Sequence, residues 1–371
     1  MLAGARGGHK GGCPVGHDLR VEDGWRHRRS HNPSMHQPSP EQLAQEAGVR
    51  LRSFAGATDF PAMLRIANAT SAADGVEIVR TLASMTRDYA ALRDSDPQQD
   101  VMIAEAAGET VAYARSMQWR QHDGLMLFGQ LGFVPPAWRG RGIGRALLAW
   151  LEQRQREVAA RHPDASGYAH HSFATQGEAA RARLLARAGY QPARQFLVMV
   201  RPHLEDIPAF ALPEGIEVRP VQPEQYRAIW DAHMEALRGI WGYTPPKPGD
   251  YEAWLHSPVF QPHLWQVAWD VQTGEVAGQV KAYIDEEHNR AFGRRRGLTE
   301  FISVGERWRR RGIARALVVR ALRAQRQAGM LESALGVDSA NADRAADVYR
   351  ACGFGEVQRN TTWRKPFTPA A

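Results

Sequence analysis

Two short basic stretches, each lying between a strand-forming run and a helical pattern, carry residue types suited to binding an anion. In residues 304–317, small residues allow backbone N–H groups to face inward, and the following helix adds the positive end of its dipole. Arginine side chains around the loop add charge-assisted hydrogen bonds of about 1.5–3 kcal/mol each. The chemistry predicted for this stretch is binding of a phosphate or pyrophosphate.

The same stretch occurs earlier in the chain, at residues 134–147. Arg139 and Arg309 are 170 residues apart, and so are Val134 and Val304. A repeat at this distance is too long for a solenoid, whose periods are about 20–50 residues. It predicts two homologous domains in tandem.

The order of predicted elements is the same in both halves: strand, one or two helices, antiparallel strands, strand–loop–helix, strand, helix and terminal strands. This order predicts an α+β fold in which each domain has a mixed, mostly antiparallel twisted sheet flanked by helices. We assign residues 1–40 to a disordered tail, 48–201 to the first domain, 202–215 to a linker and 216–367 to the second domain. A strand at 196–200 is expected to close the first domain.

The bulk composition excludes several classes of protein. No apolar run approaches the roughly 20 residues of a membrane span, and the first residues lack the apolar core of a signal peptide. The two cysteines provide no disulfide framework, which favours a cytoplasmic protein. The formal net charge of +7 is spread along the chain, so we expect no nucleic-acid partner. The histidines of the tail and Cys13 lack the spacing of a closed zinc site, and we expect no metal.

The two basic loops resemble the pyrophosphate loop of the GNAT superfamily of acyl-CoA-dependent N-acetyltransferases, in which Arg or Gln is followed by two residues, Gly, one residue, and Gly or Ala. The matching residues are Arg139, Gly142 and Gly144 in the first half and Arg309, Gly312 and Ala314 in the second. The resemblance implies acetyl-CoA as the co-substrate, bound by the loop and by the strand before it. The implied contacts are Val134, Arg139, Arg141, Gly142, Gly144 and Arg145 in the first half, and Ile302, Val304, Arg309, Arg310, Arg311, Gly312, Ile313, Ala314, Arg315 and Asn341 in the second.

A second motif of the superfamily is present in full in the second half, as Asn341-x-x-x-Ala345-x-x-x-Tyr349 followed by Gly353-Phe354. The resemblance implies that Asn341 binds the cofactor arm, although this residue could also serve only as a helix N-cap. It also implies that the hydroxyl of Tyr349 lies near the sulfur of CoA and acts as the acid. In the first half Leu185 stands in place of Tyr349, so we predict that the first domain is degenerate and non-catalytic.

Glu300 is the candidate base of the second half. Strand periodicity places Glu300, Ile302 and Val304 on the same face of the sheet. The superfamily often has a glutamate on this strand, but nearer Leu298 when the loops are aligned, and a solvated or ion-paired strand residue is the alternative interpretation. The residue at the equivalent position of the first half is Gln130, which cannot act as a base.

These residues predict direct transfer of an acetyl group from the CoA thioester to an amine, catalysed in the second domain. The tandem architecture resembles that of GNAT proteins such as mycothiol synthase, which does not fix the substrate. A small-molecule acceptor is favoured, with the irregular segment 242–262 as a wall of its pocket and His233 and Glu235 as possible lining; a protein N-terminus or lysine is the other option. A non-catalytic acyl-CoA-binding sensor or scaffold is the alternative function. A monomer or a homodimer without a membrane partner is expected.

Overall fold

The computed structural model describes residues 38–370, except for the side chains of 341–344. Nearly all of the tail predicted at 1–40 lies outside these residues. The described chain forms two compact units, one containing 38–193 with 361–370 and the other Arg194–Asn360. In this part of the chain, no helix combines the length and the apolar character that a membrane crossing requires.

The first unit is built on five strands in the order β1-β2-β3-β4-β5, and β4 and β5 form its parallel pair. Its elements are α1 (Pro40–Glu46), β1 (Arg50–Ser53), α2 (Phe60–Ala73), α3 (Leu82–Ala90), α4 (Pro97–Asp100), β2 (Val101–Ala106), β3 (Glu109–Arg120), β4 (Leu125–Phe133), α5 (Ile143–Ala159), β5 (Gly167–Thr175) and α6 (Ala179–Arg187). The next strand, β6 (Gln191–Arg201), begins in this unit and continues into the other.

The second unit repeats this plan, with strands in the order β6-β11-β10-β9-β8-β7 and a parallel pair formed by β10 and β11. Its further elements are β7 (Ile216–Val218), α7 (Tyr226–Leu237), α8 (Asp250–Leu255), β8 (Gln266–Asp270), β9 (Val276–Ile284), α9 (Glu286–Phe292), β10 (Arg296–Val304), α10 (Ile313–Gln327), β11 (Glu332–Asp338), α11 (Ala342–Ala351) and β12 (Gly355–Pro366). The α+β prediction is confirmed, and the sheet of each unit is mostly antiparallel.

Each sheet is covered by helices on both faces, which explains the long apolar runs of its central strands. In the second unit, α10 packs on one face through Ile313 and Leu317, and Ile302 and Val304 of β10 lie in the same core cluster. The opposite face carries a separate aromatic cluster contributed by α7, α8 and neighbouring strands. In the first unit, α5 covers one face and α2 the other. The two faces of β10 therefore have different surroundings.

The strand at 196–200 does not close the first unit, contrary to the prediction. Residues 196–201 of β6 instead pair antiparallel with 333–338 of β11 in the second unit. In return, the end of the chain packs on the first unit, where the Nζ of Lys365 lies 2.8 Å from both carboxylate oxygens of Glu152 and the ring of Phe367 stacks on His170. Sequence periodicity cannot reveal this exchange, because a strand looks the same whichever neighbour it pairs with.

Candidate active site

The loop between β10 and α10 presents backbone donors at a helix N-terminus. Gly312 caps the helix with φ of 84°, a left-handed conformation that favours glycine. The N–H of Ala316 donates to the carbonyl oxygen of Gly312 at 3.2 Å, which closes the first helical turn. The amides of residues 313–315 precede this bond and are first-turn donors. The loop therefore has the local geometry of an anion site.

The arginines of this loop do not have equivalent surroundings. The guanidinium of Arg309 donates to the carbonyl oxygen of Val304 at 3.2 Å and to that of Ala236 at 3.4 Å, so it holds the loop against the unit. The side chains of Arg310, Arg311 and Arg315 are exposed. These three, rather than Arg309, are placed to reach an anion in solvent.

The two parallel strands beside the loop separate before they end. The pairing of β10 with β11 covers Arg296–Leu298, whereas β10 continues to Val304. Just past the last pair, the N–H of Gly336 in β11 donates to Oε1 of Glu300 at 3.1 Å. The carboxyl group of Glu300 thus lies where the strands diverge. Burial raises its pKa, and the hydrogen bond from Gly336 partly opposes this rise.

A β-bulge in β10 changes the face to which Glu300 points. Glu300 pairs with Lys281 of β9, but the next pair is Ser303 with Gln279, and Phe301 between them has φ of 52°. The extra residue reverses the alternation of side chains. Glu300 therefore shares the face of Lys281 and Ser303, opposite to Ile302 and Val304, and the prediction of a common face was wrong.

The face shared by Glu300 and Lys281 is lined by aromatic rings. The Nζ of Lys281 lies 5.0 Å from the ring centroid of Trp254, 5.4 Å from that of Phe301 and 6.0 Å from that of Trp265. The side chain of Lys281 is buried, and burial lowers its pKa to about 7. Lys281 is not among the residues selected from the sequence, although a single lysine inside the apolar run of β9 is a signal that could have identified it.

His233 of α7 lies on the same face. Its Nδ1 is 3.0 Å from the Oγ of Ser303, and its ring is 6.0 Å from that of Phe301. Burial and the neighbouring Lys281 hold the pKa of His233 well below its usual value, so the imidazole is neutral at pH 7. By contrast, Glu235 on the same helix is exposed and forms an ion pair with Arg238 at 3.0 Å. Of the two helix residues considered for the acceptor pocket, His233 alone lies at this face.

The second motif places Tyr349 on α11 in the core of the unit. Its side chain is 2% exposed, and its ring centroid lies 6.3 Å from that of Phe354. Tyr349 belongs to the same core cluster as Leu317 and Cys352, and the acid role assigned to its hydroxyl stays a prediction. The side chain of Asn341 lies outside the described residues.

In the corresponding loop of the first unit, the arginine that aligns with Arg309 is paired with a carboxylate. The guanidinium of Arg139 forms two hydrogen bonds of 2.8 Å with the carboxylate of Asp74 and a third of 2.9 Å with the carbonyl oxygen of Val134. Gly142 caps α5 with φ of 94°, and a Cβ built on it would lie 3.4 Å from that of Ala47. The backbone cradle is therefore present, but Arg139 is neutralised. Arg141 is exposed and stacks on the Trp138 ring at 4.6 Å, and Arg145 is exposed.

The strand before this loop has no bulge, because β3 and β4 pair without a register shift over 126–133. Gln130 consequently points toward α5, where its Nε2 donates to the Oε1 of Gln155 at 3.1 Å and to the hydroxyl of Tyr190 at 2.7 Å. The residue on the face that corresponds to Glu300 is Leu131, which packs in the cluster containing α2. Gln130 is thus not the spatial counterpart of Glu300. Leu185 is buried, as an apolar residue in place of Tyr349 should be.

The comparisons with known proteins agree with this duplicated plan. The model of the Acetyltransferase (GNAT) family matches residues 226–354, and that of the Acetyltransferase (GNAT) domain matches 97–192. The chain is 30% identical over 240 residues to a mycothiol acetyltransferase of Saccharomonospora viridis, covering 62% of this chain and 72% of that protein. The chain belongs to the GNAT acetyltransferase family. It is an acyltransferase with two GNAT domains in tandem, as predicted.

Two further similarities extend over most of the chain. A mycothiol acetyltransferase of Thermobispora bispora is 29% identical over 328 residues, which cover 85% of this chain and 99% of that protein. The crystal structure of a GCN5-related N-acetyltransferase from Sphaerobacter thermophilus superposes with a TM-score of 0.65 at 26% identity, covering 87% of this chain and 97% of that one. These matched lengths are long enough to include most of both GNAT units.

Proposed function

We propose that this GNAT protein transfers the acetyl group of acetyl-CoA directly to the amine of a small molecule, and that the second domain catalyses the transfer. The observation that carries the proposal is the bulge in β10, which turns the buried carboxyl group of Glu300 toward the aromatic face beside the diverging strands. Bulges are common next to active sites because they redirect a side chain. The first domain has neither this bulge nor a carboxyl group at this place.

The residues of the second unit fit acetyl-CoA, which supplies the acetyl thioester. The pyrophosphate matches the first-turn amides of α10, with Gly312 allowing a close approach and exposed arginines adding charge. The arm of the cofactor suits the edge of β10 beyond Leu298, where pairing with β11 has ended. Unpaired backbone groups on this edge can bind an extended ligand as a neighbouring strand would.

Glu300 and Tyr349 divide the proton transfers in this proposal. An alkylamine with pKa about 10.4 is protonated at pH 7 and has no free electron pair for attack. Glu300, whose pKa is raised by burial, first takes one proton from the ammonium group and passes it to solvent, which leaves a neutral amine able to attack the thioester carbon. As the amide bond forms and the carbon–sulfur bond breaks, Glu300 takes the second proton from the nitrogen, and Tyr349 donates its proton to the departing thiolate. Before the next turnover Glu300 loses its proton to solvent and Tyr349 regains one from solvent.

The acceptor is proposed to be an amine in mycothiol formation, because the curated relatives described above are named mycothiol acetyltransferases. The surroundings of the aromatic face favour a small-molecule acceptor. Lys281 and His233 are buried there, and Trp254 of α8 adds a wall from the segment that the sequence analysis placed at the pocket. A face enclosed by side chains from two helices suits a compact amine better than an extended peptide.

A matched pair of glycine substitutions tests the assignment to the second domain. Gly142→Glu and Gly312→Glu each place a charged side chain at a cap with positive φ, so both introduce similar backbone strain. Acetyl-CoA binding is measured by calorimetry, and CoA release is measured with an amine panel that includes unacetylated mycothiol. We expect Gly312→Glu to abolish binding and CoA release and Gly142→Glu to retain both. Binding without release for every amine would favour the non-catalytic alternative, and loss in Gly142→Glu alone would contradict the proposal.

A further inference from the structure

The face of the first unit opposite α5 carries two arginines that form no ion pair with a carboxylate of the described residues. Arg115 of β3 is 9% exposed, and Arg80 lies half-buried in the connection between α2 and α3. Burial lowers the pKa of Arg80, against the opposing influence through space of Tyr113, Asp88 and Glu178. A buried charge without a direct carboxylate partner is unfavourable, so a bound anion would stabilise this face.

Aromatic rings hold both guanidinium groups in place. The Cζ of Arg80 lies 5.1 Å from the ring centroid of Phe133, and that of Arg115 lies 5.2 Å from the ring centroid of Tyr89. Tyr113 stacks on Phe133 at 4.8 Å, and both arginines act to lower its pKa while burial raises it. Three aromatic side chains, Tyr89, Tyr113 and Phe133, thus surround the two guanidinium groups. Stacking on a ring occupies the face of a guanidinium and leaves its N–H edge available.

The neighbouring helix fixes the position of Arg80. The Nδ2 of Asn68 on α2 donates to the carbonyl oxygen of Arg80 at 3.0 Å, and the Nη1 of Arg80 donates to the Oγ of Ser71 at 3.0 Å. Arg115 is held by strand pairing with Leu131. Its Nε is buried and donates to no acceptor of the described chain. A donor that is fixed in place and has no acceptor is preorganised for a ligand.

We propose that Arg80 and Arg115 form a binding site for the carboxylate or phosphate group of a small molecule. The planar fork of each guanidinium matches the paired oxygens of these anions, and the surrounding rings provide an apolar wall for the rest of the ligand. The site lies on the unit that lacks Glu300 and the bulge. It gives the first domain a binding function that is independent of the proposed acetyl transfer.

The test uses the full chain and its Arg80→Met and Arg115→Met variants. Thermal unfolding and calorimetry are followed with sodium phosphate and with sodium acetate, each against sodium chloride at equal ionic strength. Arg120→Met is the control, because Arg120 lies on the same strand and forms an exposed ion pair with Asp164 at 2.8 Å. Comparison of the two salts shows which oxyanion the site prefers. Gly312→Glu separates this site from the loop before α10, which can also bind phosphate.

We expect phosphate or acetate to raise the folding equilibrium constant of the parent about tenfold at ten times its Kd. With the loop before α10 blocked by Gly312→Glu, Arg80→Met and Arg115→Met should lose this response, while Gly312→Glu alone and its combination with Arg120→Met keep it. Without anion, Arg115→Met should melt at a higher temperature than the parent, since it removes an uncompensated buried charge. If Arg115→Met does not fold, Arg80→Met decides the matter by itself. A parent response equal to that of sodium chloride, or one retained when Arg80→Met is combined with Gly312→Glu, overturns the proposal, as does a response that Gly312→Glu alone removes.

Discussion

The two units share one fold and one loop, but they differ at the strand before the loop. In the second unit an extra residue at Phe301 redirects Glu300 to the aromatic face. In the first unit β4 runs without a register shift, and Leu131 occupies that face. One inserted residue therefore separates a strand that carries a buried carboxyl group on this face from one that carries a leucine there. A cradle for phosphate is thus not sufficient to identify a catalytic domain.

The loops differ in charge more than in backbone. Both glycine caps have positive φ, so both loops can turn their amides inward. Arg139 is neutralised by two hydrogen bonds with the carboxylate of Asp74, whereas Arg309 donates to the carbonyl oxygens of Val304 and Ala236. The residue opposite the buried cation also differs between the corresponding faces. In the strand register, Lys281 lies opposite Glu300, whereas Arg115 lies opposite Leu131. These contrasts lead to four predictions.

The largest expected effect is that of Glu300→Gln. If Glu300 takes the amine proton, kcat/KM should fall by about 10²–10⁴ while acetyl-CoA binding is retained. The parent should lose activity as pH falls through the raised pKa of Glu300, because the base must be deprotonated. The pH–activity profile of the variant should lack this acidic decrease. Steady-state CoA release from pH 5 to 9 measures both. Leu131→Met in the first unit is the control, and a Glu300→Gln rate within threefold of the parent would exclude the role.

Lys281→Met should stabilise the protein in a pH-dependent manner. The pKa of Lys281 is about 7 in the folded chain, against about 10.4 in an unfolded one. Between these values only the unfolded chain binds the proton, so parent stability rises with pH in this window, and below pH 7 the full penalty remains. Because these two pKa values lie about 3.4 apart, we expect the variant to gain about 4–5 kcal/mol in the free energy of unfolding at pH 6 and little at pH 10. Denaturant titrations check this, with Lys365→Met as the control; an equal effect at both pH values would contradict it.

Tyr349→Phe should lower kcat by about 10–100-fold, because a general acid would be lost while the ring remains packed. Single-turnover CoA release should slow by the same factor, with the affinity for acetyl-CoA unchanged. Leu185→Met is the matched control at the aligned position of the first unit. Unchanged kcat in Tyr349→Phe would show that the residue only packs the core.

The smallest expected effect is that of Asp74→Asn, which weakens the ion pair with Arg139. We expect a loss of about 1–2 kcal/mol in the free energy of unfolding, since the pair is partly buried and bonded at two points. Thermal or denaturant unfolding measures this loss. The stoichiometry of acetyl-CoA binding should stay at one per chain in calorimetry. A second binding site in the variant would show that Asp74 alone blocks the first loop, which would weaken the contrast between the units.

The sequence by itself determined the features that depend on local backbone. The two loops were identified because arginines and small residues lie between a strand-forming run and the apolar pattern of a helix, and the structure gives Gly142 and Gly312 the positive φ that glycine permits. The 170-residue repeat and the order of elements then predicted the tandem α+β domains. The sequence also shows directly that the first half has Leu185 at the position that Tyr349 occupies in the second half. These properties lie within short segments of chain.

Tertiary structure decided what depends on strand pairing. The face of Glu300 is set by where β9 pairs with β10, and the bulge has no sequence signal that periodicity can detect. The surroundings of Lys281 require rings from α8 and from two other places in the chain. The partner of β6 is likewise chosen by contacts more than 130 residues away in sequence. Register and strand partner are long-range choices, whereas alternation along one strand is local, and this difference explains which predictions failed.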